Sequence, residues 1–377
     1  MKIPFNKPFL TGKETQYIEE AVLSQKICGD GTFTKKCHEF FETKYGFKKA
    51  LLTTSCTDAL EMAAILINIK EGDEVIIPSY TFVSTANAFV LRGAKIVFAD
   101  SLPNHPNIDV SKIESLITAK TKAIVPVHYA GTACDMDEIM ELATKYKLFV
   151  VEDAAQAINS FYKGKPLGSI GHLGTFSFHE TKNIISGEGG MLVINDESMI
   201  ARAEIIREKG TNRSQFYRGE VDKYGWMDVG SSFLPSDIIA AFLFAQLENL
   251  DKIQNRRLAI WNRYYNELIE LAAEGNFIIP EEFTDRTNNA HLFYIQVKNI
   301  EQRDAYLKSM RAEGISPVFH YLSLHKSPYF TSKYKGETLP NADKYTGTLV
   351  RLPLYFSLSD EEVGIIIKET KHFFKGN

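Results

Sequence analysis

Lys182 is the residue hardest to explain as a solvated surface charge. It lies in GTFSFHETKN (174–183), after an apolar strand-like run, and Gly187-Glu188-Gly189-Gly190 follows almost at once. Most lysines are exposed loop residues. One held away from water among other charges behaves differently, because desolvation and nearby cations lower its pKa and leave a free amine that attacks aldehydes. A second segment, LFVVEDAAQ (148–156), puts Glu152 and Asp153 at the C-terminal end of a buried-strand pattern, the edge where open α/β sheets bind ligands. Asp153 there can pair with a cationic ring nitrogen, cap a helix or hold a ribose. A third, TTSCTDAL (53–60), passes from strand to helix through small hydroxyl residues. The free N–H groups of that first turn, with the Ser55 and Thr57 hydroxyls, make an anion site, although an ordinary N-cap explains it equally well alone. Pyridoxal phosphate needs all three together: a phosphate cradle, an acid on its pyridine nitrogen and a lysine on its aldehyde.

These groups need a sheet to position them, and the sequence supplies one. Short β-branched runs at 50–53, 74–77, 95–99, 122–127, 148–152, 174–178 and 191–194 are predicted strands. Helical segments at 57–69, 84–91 and 136–145 fall between the earlier ones, which is the pattern of an α/β sheet with helices on both faces. A long helical pattern starts at Ser236 and continues, with a bend, to about Leu271. A smaller α+β unit follows, with strands at 293–297 and 316–319 around a helix at 302–313. The expected organisation is an N-terminal arm and cofactor-binding large domain over 1–250 and a small C-terminal domain over 251–377. The first 30 or so residues are predicted to pack away from the main sheet.

Composition narrows the function classes. The 377 residues carry 43 basic and 47 acidic side chains, a formal charge of −4, whereas nucleic-acid binders normally show a basic excess. The longest apolar stretch, from Ile238 to Ala245, is far below the ~20 residues of a membrane span, and the first residues lack the apolar run of a secretory signal. Cys28, Cys37, Cys56 and Cys134 form no C-x-x-C pair, which predicts neither a disulfide framework nor a metal site. The expected setting is the cytoplasm, with no nucleic-acid or membrane partner. No phosphate-loop, zinc-helix or nucleophile-elbow motif is present.

Three segments, PSYTFVSTAN (78–87), VEDAAQ (151–156) and FSFHETKN (176–183), resemble the sugar aminotransferases of the DegT/DnrJ/EryC1/StrS family, and the likeness runs over essentially the whole chain. The resemblance implies fold type I of the pyridoxal-phosphate transferases: a large α/β domain with a mainly parallel central sheet, plus a small α+β C-terminal domain. It implies that Lys182 links covalently to the cofactor and shuttles a proton, that Asp153 binds the pyridine nitrogen, and that Gln156 lies near the ring hydroxyl. Phe82 would stack on the ring, while Cys56, Thr57 and Ser177 would hold the phosphate. The family commonly adds an Asn from the partner subunit in a G-x-N-Y-R-like turn. Here that turn reads GSSFL (230–234), with Ser232 at the Asn position.

ICGDG (27–31) and REKGTNRSQF (207–216) carry a narrower likeness, to the branch making dTDP-4-amino-4,6-dideoxygalactose for enterobacterial common antigen. The implied reaction moves the amino group of L-glutamate to dTDP-4-keto-6-deoxyglucose in a homodimer with shared sites. Lys209 and Arg213 are candidates for the sugar pyrophosphate, and His179, His320, Tyr321 and His325 for the sugar; for each, a packing or solvated role is the alternative. Rival readings are a gluco-epimer 4-aminotransferase, a 3-keto-sugar aminotransferase and a silent regulatory relative. A sugar dehydratase of this fold would carry histidine in place of Lys182.

Overall fold

The structure, a computed structural model, describes residues 2–376. Its strands are β1 (Lys49–Thr53), β2 (Glu74–Pro78), β3 (Lys95–Ala99), β4 (Thr121–Ile124), β5 (Phe149–Asp153), β6 (Phe161–Tyr162), β7 (Lys165–Pro166), β8 (Leu173–Ser177), β9 (Gly190–Ile194), β10 (Phe293–Gln296) and β11 (Leu349–Leu352). Seven form the central sheet in the order β1-β9-β8-β5-β4-β2-β3. Only β9 runs against its neighbours, pairing antiparallel with β1 and β8; the other four pairings are parallel.

Strands covered on both faces must be apolar throughout, and EVIIP of β2 is buried at every position. Consecutive residues then serve opposite cores. Leu52, Ile76, Ile124, Val150 and Phe176 face one core, while Leu51, Val75, Ile77, Val151 and Leu173 face the other. Helix Thr32–Tyr45 closes the first face with Phe33, Cys37, Phe41 and Tyr45, spaced four apart on one stripe. Helices Cys56–Leu66 and Val83–Val90 cover the second.

The helical pattern from Ser236 is two helices, Asp237–Leu247 and Leu250–Ala273. At the break the Asn249 side-chain amide donates to the Ala245 carbonyl at 3.1 Å. The second helix joins Ile300–Ala312 and Asp360–Lys375 over the β10–β11 ribbon around a third core, which includes Trp261, Tyr264, Phe293, Tyr306 and Ile366. The strand expected at 316–319 reduces to one bridge, Val318 to Arg351; β10 pairs instead with β11, which the sequence reading did not mark. The first 30 residues pack away from the central sheet as expected. Ile3 bridges Ile315 and sits in the third core, and helix Glu14–Leu23 packs on helix Asp237–Leu247 and reaches the first core through Ala21. Among the described residues no helix is long and apolar enough to cross a membrane.

Candidate active site

The C-terminal ends of β1, β5 and β8 meet at one edge of the sheet, and their residues open on a cavity of about 520 Å³. Its floor is built first by Glu152, which strand alternation turns away from the cavity. This fully buried carboxylate accepts from the backbone N–H groups of Gly168 (2.8 Å), Ile170 (2.7 Å) and Gly171 (2.6 Å). Its fourth partner is His128 Nε2 at 2.9 Å. His128 Nδ1 accepts from the Cys134 N–H, so the ring proton is on Nε2 and points at the acid. Of the acid pair, Glu152 ties loops together and Asp153 faces the cavity.

Asp153 is buried, with Oδ2 accepting from Thr85 Oγ1 at 2.7 Å and Oδ1 from the Ala155 N–H at 3.2 Å. Since the Thr85 proton goes to Asp153, Thr81 must donate to Thr85 across their 2.9 Å contact. Burial pushes this carboxyl above its ordinary range, against the Thr85 and Ala155 hydrogen bonds and the charge of Lys182. Such an acid is stabilised as a carboxylate by a cationic partner inside the cavity.

Lys182 follows β8 in a tight turn, its N–H bonded to the His179 carbonyl at 2.9 Å. The neighbouring Asn183 fixes this turn from behind: its Nδ2 donates to the Asn289 carbonyl and Gln254 Oε1, and its Oδ1 accepts from His291 Nδ1 at 3.0 Å. Burial brings the Lys182 amine down to about 8; Cys56 and Asp153 oppose this fall and Arg351 adds to it. About a tenth of the amine is therefore free at pH 7, far more than in an ordinary lysine.

Opposite, Ser55 caps helix Cys56–Leu66 by accepting from the Asp58 N–H, which leaves Cys56 and Thr57 at the first turn, where N–H groups lack intrahelical acceptors. The Thr57 hydroxyl meets that of Ser84 at 2.8 Å, and Ser177 lines the same corner. Gly190 is what lets β9 approach: a Cβ there would lie 2.3 Å from the Ser55 carbonyl carbon and 2.4 Å from the Cys56 nitrogen.

From the small unit come Phe319, His320 and Tyr321. The Gln156 amide donates to Tyr321 Oη at 2.9 Å while its oxygen accepts from the Ala130 N–H. Phe82, 56% exposed, stands 6.0 Å from the Tyr321 ring and presents a flat apolar face. His179 lies at the rim beside Glu188, 3.7 Å away.

Lys182, Asp153, Gln156, Cys56, Thr57, Phe82, Ser177, His179, His320 and Tyr321 thus line one cavity. Four residues expected at the site do not. His325 packs against Tyr334 and bonds Ser79 Oγ at 2.7 Å. Arg213 pairs with Glu208 at 2.9 Å and Tyr217. Lys209 and Ser232 are exposed on the segment after helix Ile200–Arg207. Residues the sequence reading passed over also reach the cavity: Ser84, Thr85, His291 and Arg351. Arg351 had a signal, a lone charge inside the apolar run LVRLPL. A larger cleft of about 860 Å³ runs along β3 past Phe98 and Tyr334; no unpartnered buried polar atom among the described residues lines it.

Comparison with known proteins agrees with this geometry. The DegT/DnrJ/EryC1/StrS aminotransferase family matches residues 8–371. The chain is 34% identical to the spore coat polysaccharide biosynthesis protein SpsC of Bacillus subtilis (strain 168), over 99% of this chain and 97% of that one. It is also 34% identical to the GDP-perosamine synthase of Escherichia coli O157:H7, over 99% and 98%. Among solved structures, Spr1654 of Streptococcus pneumoniae superimposes with a TM-score of 0.92 in its PMP-form and 0.91 in its PLP-form, at 27% identity. Those alignments cover all of this chain and 98% and 99% of the others.

Proposed function

Because the chain belongs to the DegT/DnrJ/EryC1/StrS aminotransferase family, we propose that it moves an amino group from L-glutamate to the ketone of a nucleotide sugar. Its cofactor is pyridoxal phosphate, the group carried by its structural neighbour in the PLP-form. The residues present fit that group. Asp153 offers a buried carboxylate suited to a protonated ring nitrogen, and Thr57, Ser84 and Ser177 with two helix N–H groups suit a phosphate. Lys182 offers an amine lowered to about 8 for the aldehyde. The convergence of these three on one cavity carries the reading.

When bound, the cofactor supplies an aldehyde that takes up an amine and a protonated ring that accepts the electron pair of the broken C–H bond. Asp153, stiffened by the Thr81–Thr85 relay, would keep a proton on that ring nitrogen. Lys182 would take the proton from the donor Cα and deliver one to the sugar carbon. Gln156 and Tyr321 would hold the ring edge, and Phe82 would cover a face and exclude water.

The finer assignment is dTDP-4-keto-6-deoxy-D-glucose aminated at C4, giving dTDP-4-amino-4,6-dideoxy-D-galactose for a cell-surface polysaccharide. Segments 27–31 and 207–216 support it, and the name of the GDP-perosamine synthase relative makes GDP the competing nucleotide. We further propose a homodimer. Phe216, Tyr217, Tyr224, Trp226 and Met227 are exposed together, Trp226 by 85%, an apolar surface suited to an interface. In that arrangement Ser232, Lys209 and Arg213 serve the partner's cavity. The division near Leu250 separates cofactor-binding and small domains, and the four free cysteines fit a reducing cytoplasm.

Visible absorption tests the whole reading. A yellow band should form with pyridoxal phosphate, bleach with L-glutamate and return with dTDP-4-keto-6-deoxyglucose; NMR of the product then reads the C4 configuration. Return with only the GDP sugar corrects the nucleotide, and no band at all refutes the cofactor.

A further inference from the structure

The central sheet ends at β3, and that edge is open to pairing. The Lys95 N–H bonds the Asp73 carbonyl, and the Ala99 carbonyl accepts from the Ser79 N–H, so both residues turn their backbone groups toward β2. Strand alternation then turns the N–H and C=O groups of Ile96 and Phe98 to the outer side. Asp100, two residues on from Phe98, shows that this side can pair: its carbonyl accepts from the Asp109 N–H at 2.9 Å. Residues 107–109 thus add to the edge just beyond β3, and the chain then leaves it for the helical turn Val110–Lys112. Among the described residues nothing bonds Ile96 or Phe98 on the outer side. The register of β3 on β2 is regular over all five residues, so no bulge twists the edge away from a new strand.

The cleft of about 860 Å³ lies over this edge. Val97 and Phe98 serve opposite cores, and each supports one wall. Phe330 and Tyr334 pack on Phe98, with ring centroids 5.1 and 5.8 Å away; Leu116 stands on the Val97 side. Lys95, Lys112, Lys333 and Lys335 line the same cleft, against Asp100, Asp109 and Glu337. Two of those acids are committed. Asp100 accepts from the Asn341 and Ala342 N–H groups, and Asp109 from the Ser111 N–H and hydroxyl. Of the lysines, Lys95 pairs with Glu74 at 2.9 Å and Lys333 lies over the Tyr329 ring. Lys112 and Lys335 are exposed, and the cleft is left with a positive excess.

We propose that the β3 edge docks an extended acidic segment of a partner protein, which joins the sheet as a further strand. Its main chain bonds Ile96 and Phe98, its apolar side chains meet Phe330 and Tyr334, and its carboxylates reach Lys112 and Lys335. Main-chain bonds of this kind supply affinity, and the walls supply selectivity. Charge disfavours a second copy of this chain as the occupant, because pairing two β3 edges brings their lysines together. The cleft shares no lining residue with the Lys182 cavity, so docking is separate from the function proposed above.

The test uses the full chain and fluorescein-labelled heptapeptides read by anisotropy at low salt. A peptide alternating glutamate and valine should bind at least about ten-fold more tightly than one alternating lysine and valine. Methylating its alternate backbone nitrogens removes the ladder donors and should weaken it by a similar factor, about ten-fold. Charge reversal of two exposed residues, Lys112→Glu with Lys335→Glu, should also cost about ten-fold in peptide affinity and leave transamination unchanged. Hydrogen exchange at the Ile96 and Phe98 amides should slow at least about ten-fold under saturating peptide. No binding by the glutamate–valine peptide, equal binding of the acidic and basic peptides, or exchange that peptide does not slow overturns the proposal. Protection of those two amides that grows with protein concentration alone assigns the edge to a second copy, and tighter binding of oligothymidylate than of the acidic peptide assigns it to nucleic acid; either result overturns it as well.

Discussion

Replacing Lys182 by methionine in the cofactor-free protein should stabilise it at neutral pH. The amine falls from 10.5 to about 8 because burial disfavours its charge, and at about 1.4 kcal/mol per pH unit this is a folding penalty of about 3 kcal/mol. The sign follows from proton binding. Between pH 8 and 10.5 the unfolded chain holds a proton that the folded chain has released, so stability rises with pH across that window. The penalty is thus complete below pH 8 and vanishes above 10.5. Methionine of similar length fills the space without the charge. Urea unfolding of both proteins, followed by far-ultraviolet circular dichroism at pH 7 and pH 10.5, reads the difference. The Lys182→Met variant should be the more stable by about 3 kcal/mol at the lower pH, with the gap closing at the higher. A gap independent of pH, or a wild type more stable at pH 7, refutes the claim that this lysine is held partly deprotonated by burial. The capture of pyridoxal phosphate by the cofactor-free wild type, trapped with borohydride, should reach half its maximal rate near pH 8; a midpoint near 10.5 leads to the same refutation.

Asp153→Ala should lower turnover at least about a hundred-fold, the scale of removing one preorganised electrostatic group, while the yellow band still forms. Glu152→Gln puts an amide among N–H donors that need an acceptor, and should cost about 3 kcal/mol or more in a denaturation experiment. In Gly190→Ala the new Cβ meets Ser55 and Cys56 at 2.3 and 2.4 Å, so cofactor should dissociate faster in a dilution assay while far-ultraviolet dichroism changes little. Trp226→Asp should shift the mass measured by light scattering from dimer to monomer; an unchanged mass rules this patch out as the interface.

The sheet was legible because its strands are apolar on both faces and the hydroxyl-rich, acidic and lysine segments stand at their ends. The acid pair was legible, and Asp153 was the member assigned to the ligand; the work of Glu152 was not legible. That work depends on Gly168, Ile170 and Gly171 turning their N–H groups onto Glu152, a loop conformation no spacing announces. β11 was missed for a related reason: LVRLPL has a charge at its centre and a proline after it, both of which argue against a strand until a partner is known. The bridge to Val318 and the pairing with β10 supply that partner. His325 misled because Phe319 to His325 reads as one cluster, whereas the chain after Tyr321 turns toward Ser79 and carries His325 out of the cavity.

The charges of the cavity specify its occupants more closely than its shape does. No acid pairs with Arg351 among the described residues, its one side-chain hydrogen bond going to His320, and burial lowers Lys182, His320 and His291. A favourable occupant must then bring a positive ring atom to Asp153, a dianionic group to the Thr57 corner and a planar anion to Arg351. Pyridoxal phosphate meets the first two requirements, and an amino acid in reach of Lys182 meets the third. A keto sugar at the same place meets it only with neutral oxygens, so it binds there by its remote nucleotide rather than by its reacting end. Donor and acceptor can therefore share one proton-transfer lysine and still be told apart: a small carboxylate should compete with the sugar for the cavity beside Lys182, and a neutral amide of the same size should not.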